Sequence, residues 1–99
     1  MGTASFSVGG YGARGAVMSS KLVTSGAHTT STTASFAEDA SGDIILSAGQ
    51  VIQIHADEAM RVRFGGDAAT ASVGHYIPAA SQVEMECIDP GKVSIIDVA

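Results

Sequence analysis

Chemistry in this chain would have to come from His28, His55 and His75, from Cys87, and from carboxylates paired at Glu38-Asp39, Asp57-Glu58 and Glu84/Glu86. A metal site needs three or four convergent ligands. The sequence offers His55 and Asp57 together, with His75 further along. General acid–base work needs a pocket that desolvates one carboxyl and not its partner. Glu38-Asp39 and Asp57-Glu58 fall in turn-like sequence, where Asp suits the backbone, and Glu84 and Glu86 alternate with apolar residues. Ser and Thr are too abundant for any Ser-His-Asp order to stand out. Gly9-Gly10-Tyr11-Gly12 and Gly65-Gly66 lead into neither a helix nor a Lys-Ser/Thr pair, so they form no phosphate cradle. Cys87 is alone, which excludes a disulfide within the chain, and Glu84, Glu86 and Asp89 beside it disfavour a thiolate. These residues predict a protein that is not an enzyme, with no cofactor and no metal.

One local pattern points the other way. Gly49 and His55 resemble part of the first metal motif of cupins, in which a glycine precedes His-x-His and a later Glu. Here position 57 is Asp, Arg61 or Val62 stands where the Glu would be, and no second motif follows Pro78. A small cupin-like metal-binding barrel is therefore the alternative from another functional class.

The elements that would hold these side chains are strands. Met60, Val62 and Phe64 interleave with Arg61 and Arg63, and Val83, Met85 and Cys87 interleave with Glu84 and Glu86. A period of two is the mark of a half-buried strand. Strands are predicted at 21–24, 28–36, 43–47, 50–55, 60–64, 82–88 and 92–98, the segment 26–37 being the least defined, and His75-Tyr76-Ile77 leads into Pro78. Between them lie turns at 38–42, 57–58, 65–67 and 89–91 and a small-residue loop at 68–74. Pro78 marks an edge or bend. Recurrence every 8–12 residues predicts an all-β fold, a small antiparallel sandwich or barrel. If strands 60–64 and 83–87 are neighbours, Arg61 and Arg63 face Glu84 and Glu86 across them, each opposite pair contributing about 0.2–1 kcal/mol.

Ninety-nine residues allow one domain, and with no Trp and 5% aromatics its core must come from Val, Ile, Leu, Met and Ala. Residues 1–37 carry Arg14 and Lys21 and no acid, while residues 38–99 hold all ten acids against three cations, for a net charge of −5. An acidic domain without a basic stripe disfavours direct nucleic-acid contact. No leader is recognisable, and no apolar run is long enough to span a membrane. The first residues are rich in Gly, Ser, Thr and Ala, so residues 1–17 read as an extended Gly-rich N-terminal arm ahead of a β-domain over 18–99. Such an arm is either a disordered tail or a segment lying on a neighbouring subunit through Phe6, Tyr11 and Arg14.

Met60–Gly66, Ala69-Thr70-Ala71 and His75-Tyr76-Ile77-Pro78-Ala79 together resemble a pattern in small virion proteins of tailed bacteriophages. There a strand ending in Phe-Gly leads through a small-residue loop to a Tyr-x-Pro-Ala segment and two final strands, which here would be 82–88 and 92–98. The likeness covers residues 43–99. It implies a capsid decoration or cement protein of β-barrel or jelly-roll type, assembled into the virion in the bacterial host cytoplasm. Its implied partners are the major capsid protein or another virion protein, and further copies of itself as a dimer or trimer. A head–tail connector, tail or fibre-base component is the nearest variant.

Overall fold

The computed structural model describes residues 2–12, 15–70 and 72–98, and the side chains within these ranges except those of residues 11, 12 and 15–21. The described chain is all-β and antiparallel, with no helix. In chain order the strands are β1 (Gly2–Gly12), β2 (Gly15–Thr30), β3 (Ser35–Phe36), β4 (Glu38–Asp39), β5 (Gly42–Asp43) and β6 (Ile45–Leu46). There follow β7 (Val51–Ala56), β8 (Met60–Arg63), β9 (His75–Ile77), β10 (Ser81–Glu86), β11 (Gly91–Lys92) and β12 (Ser94–Asp97). They form two four-stranded sheets, β10-β7-β1-β2 and β3-β12-β8-β9, and two small ribbons, β11-β6 and β4-β5. Among the described residues no sheet closes on itself.

Alternation sets which side of most strands is buried, although Val51 and Ile52 of β7 and Ser94, Ile95 and Ile96 of β12 are buried in succession. Ala4, Phe6 and Val8 of β1, Ile52, Ile54 and Ala56 of β7, and Met60 and Val62 of β8 all lie in one apolar cluster. Ala37, Ile44, Leu46, Ile77, Cys87, Val93 and Ile95 join it from the other strands and loops, so both large sheets feed the same core. Burying each such large side chain contributes about 1.5–3 kcal/mol. The buried Ser94 hydroxyl accepts the Ala69 amide at 2.9 Å, which ties the chain at Ala69 to the second sheet without orphaning a donor.

The N-terminal segment departs from the expected arm. β1 is an inner strand, paired with β2 on one side and with β7 from Ala4↔Ala56 to Gly9↔Val51 on the other. The physical reason is core size: a domain poor in aromatics cannot leave Phe6 outside, and Phe6 is 3% exposed. Its cross-strand partner is Gly26, whose missing side chain makes room for the ring. A Cβ there would stand 3.0 Å from Phe6 Cζ and 3.2 Å from the Glu38 carbonyl oxygen. Small Ser, Thr and Ala residues around Phe6 then serve as ordinary strand residues.

Two further expectations change. β8 pairs with β12 and β9, whereas β10 pairs with β7 in the other sheet, so Arg61 and Arg63 do not face Glu84 and Glu86 across paired strands. Instead the Arg61 guanidinium donates to the Gly74 carbonyl at 3.0 Å and lies 5.4 Å from the Tyr76 ring centre. Arg63 donates to the Ala68 carbonyl at 3.1 Å and stands 3.6 Å from the Asp67 carboxylate. The strand expected at 28–36 is divided: β2 continues to Thr30, the chain bends, and β3 resumes at Ser35.

Because Phe6 fills the space between the sheets, Phe6→Ala should destabilise the protein by about 3–5 kcal/mol in equilibrium denaturation. An unchanged midpoint would return residues 1–17 to the role of a dispensable arm.

Candidate functional site

The pairing register places several features at one end of the molecule. β7 begins at Val51, opposite Gly9 of β1 and Glu86 of β10. The β1–β2 hairpin continues past that level, with Tyr11↔Met18 and Gly12↔Gly15 paired and shifts of register after Val8, Gly9 and Tyr11. Beyond Gly9 the described part of this hairpin pairs only with itself.

A shallow groove opens at the same end, lined by Phe64, His75, Met85, Glu86, Ile88 and Asp89 and enclosing about 450 Å³. Alternation explains its unusual member. Val83, Met85 and Cys87 turn toward the core, so Gln82, Glu84, Glu86 and Ile88 turn outward, and Ile88 is 75% exposed on a face otherwise polar. The chain on either side is fixed: the Cys87 amide donates to the Gln50 carbonyl at 2.7 Å, and the Gly49 amide donates to the Cys87 carbonyl at 2.9 Å. The Asp89-Pro90-Gly91 turn packs on the Gly65-Gly66 turn. Gly91 has φ +136°, and a Cβ on it would lie 3.2 Å from the Gly65 carbonyl carbon. Only glycine satisfies both that backbone angle and that approach. Across the groove the Phe64 and His75 rings meet edge to face, with centroids 6.0 Å apart.

The residues whose types could carry chemistry are scattered. His55 lies on β7 in one large sheet and His75 on β9 in the other. Asp57 is engaged with the Thr3 amide at 2.7 Å. Among the described residues no group of three or more His, Cys, Asp and Glu is placed to hold a metal ion. His28 is nearly buried and its Nε2 is 2.8 Å from the Ser35 hydroxyl, a contact that joins β2 to β3. Cys87 is 1% exposed, and burial, then Asp89 and Glu86, push its thiol above the usual range. Of the expected partner-binding residues, Phe6 is in the core, Tyr11 is placed by its backbone on the projecting part of β1, and Arg14 lies outside the described residues. Ile88 was missed as a site residue because it reads as the last position of a strand. Its even-numbered place, in phase with Glu84 and Glu86, was the available signal.

Asp39 shows how the other edge of the first sheet is secured. The Thr24 hydroxyl donates to its carboxylate at 2.6 Å and the Ser41 amide at 2.8 Å, and these bonds hold its pKa below the ordinary carboxylate value. Searches against protein-family models, curated proteins and solved structures give no match to this chain.

Thr24→Val removes the larger of the two effects on Asp39, so its carboxyl titration followed by NMR should move up toward the ordinary value. The native bonds favour the ionised form, so their support is present above the unfolded-state pKa and is lost as pH falls through the lowered one. Coincident titrations in the two proteins would contradict this assignment. Cys87 should react with a thiol reagent at mildly alkaline pH only as fast as the protein opens, and rapid modification of the folded chain would contradict its burial.

Proposed function

We propose that the chain is a structural virion protein that binds the outside of a bacteriophage capsid and bridges neighbouring subunits, a decoration or cement protein. In this reading the two four-stranded sheets are the leaves of a small jelly-roll-like sandwich. The observation that carries it is the β1–β2 hairpin, which is anchored in the core by Phe6 and extends beyond the strand that supports it. A rigidly rooted projection on a small domain suits an element that spans a seam between other molecules. The likeness of residues 43–99 to small phage virion proteins supports the same reading. Each contact can be weak, because many symmetric copies on one shell hold by avidity.

The test must spare the core, and removing residues 1–17 would not, since it takes away Ala4, Phe6 and Val8. Replacing residues 10–22 by Asn-Gly removes Leu22, the partner of Gly9, and sets Gly9 opposite Val23 in continuation of the Val8↔Thr24 pairing, across a two-residue turn of the kind that closes hairpins. Capsids purified from cells making the native chain should carry it in fixed stoichiometry by native mass measurement. Capsids from cells making the shortened chain should lack it, while that chain keeps its β-type far-ultraviolet spectrum. Equal occupancy by both chains, or no native chain on capsids, would overturn the proposal.

A further inference from the structure

We propose that the Ile88 groove is the receiving site for the β1–β2 hairpin of a second copy of this chain. The inference concerns the protein in solution and stands apart from the virion reading. The groove joins an apolar floor to an acidic rim. Phe64 and Met85 are half-buried, Ile88 is largely exposed, and Glu86 and Asp89 flank them. Asp67 lines the adjoining pocket, which shares Phe64, His75 and Asp89 with the groove, and the neighbouring cation Arg63 is 3.6 Å from it. An acidic rim around exposed Ile88 and half-buried Met85 selects a segment that carries apolar side chains and positive charge.

The chain itself contains an acid-free segment of that kind at its N-terminal end. Residues 1–37 hold Arg14 and Lys21 with no acid, whereas all ten acids lie in 38–99. Within the first segment it is the hairpin, with Tyr11, Val17 and Met18 in its sequence, that runs past the level of Val51 and Glu86. It cannot serve its own groove easily. β2 is separated from β10 by β1 and β7, so the two edges are three strand spacings apart, about 14 Å. Each copy therefore offers a hairpin at one edge of its sheet and a groove at the other. Copies that exchange them reciprocally make a two-fold dimer, and copies that pass them in one direction make a ring.

Complementation of two variants tests this. Ile88→Glu spoils the groove and keeps the hairpin. Replacing residues 10–22 by Asn-Gly removes the hairpin and keeps the groove. By light scattering coupled to size exclusion, the native chain should be oligomeric, and each variant should be monomeric with an unchanged far-ultraviolet spectrum. Affinity in either variant should fall by at least about tenfold. Mixing the two variants should restore a one-to-one complex, since one supplies the hairpin and the other the groove, and that complex should weaken in high salt. A native chain that stays monomeric up to its solubility limit would overturn the proposal. So would an oligomer that survives Ile88→Glu, or a mixture that forms no complex. Should a variant lose its β spectrum, Glu86→Lys with Asp89→Lys reverses the rim charge without touching the core. That pair should dissociate the native oligomer, and an oligomer left intact would equally overturn it.

Discussion

The structure depends on one strand. β1 supplies Ala4, Phe6 and Val8 to a core that has few aromatic side chains, and it supplies the hydrogen-bonded bridge between β7 and the long edge strand β2. Without it the first large sheet would be split into β10-β7 and an isolated β2, and a two-stranded ribbon is marginal in water. The entropy lost on ordering a glycine-rich segment is large. Here it is offset by the burial of Phe6 and by pairing on both sides of the strand.

That dependence has a structural consequence. Once β1 is fixed from Ala4 to Gly9 by two neighbours, the continuation of the hairpin past Val51 is held at its root. The successive register shifts after Val8 fall where the support of β7 ends, as bulges commonly do where a strand leaves its sheet. The groove around Ile88 is likewise built on rigid surroundings. Its outline comes from the Gly65–Gly91 contact and the backbone bonds at Cys87. Both features are carried by fixed framework and not by free tails, which lowers the ordering cost of any association they make.

Much of the fold was legible in the residues. Alternation at Met60–Arg63 and at Gln82–Glu86 marked β8 and β10, and Gly-, Pro- and Asp-containing turns marked their ends. Two things were not legible. Alternation tells which face of a strand is buried but not which strand lies beside it, so whether Arg61 and Arg63 face Glu84 and Glu86 stays open until the sheets are seen. Composition also misleads where small residues serve a large neighbour. Gly26 looks like a break, yet it is the space into which Phe6 fits, and that relation exists only across twenty residues of sequence. The candidate site was partly visible in the same way: Tyr11 is on the projecting hairpin, while Ile88 disappears into a strand pattern unless its phase is counted.

Hydrogen exchange at single amides tests the central role of β1 most directly, because slow exchange requires hydrogen bonding within a cooperative unit. Amides of β1 that bond within the sheet between Ala4 and Gly9 should be protected to the same degree as those of Val51–Ala56. If residues 4–9 exchange at the rate of an open chain while 51–56 stay protected, the N-terminal strand does not hold this domain together and the account fails.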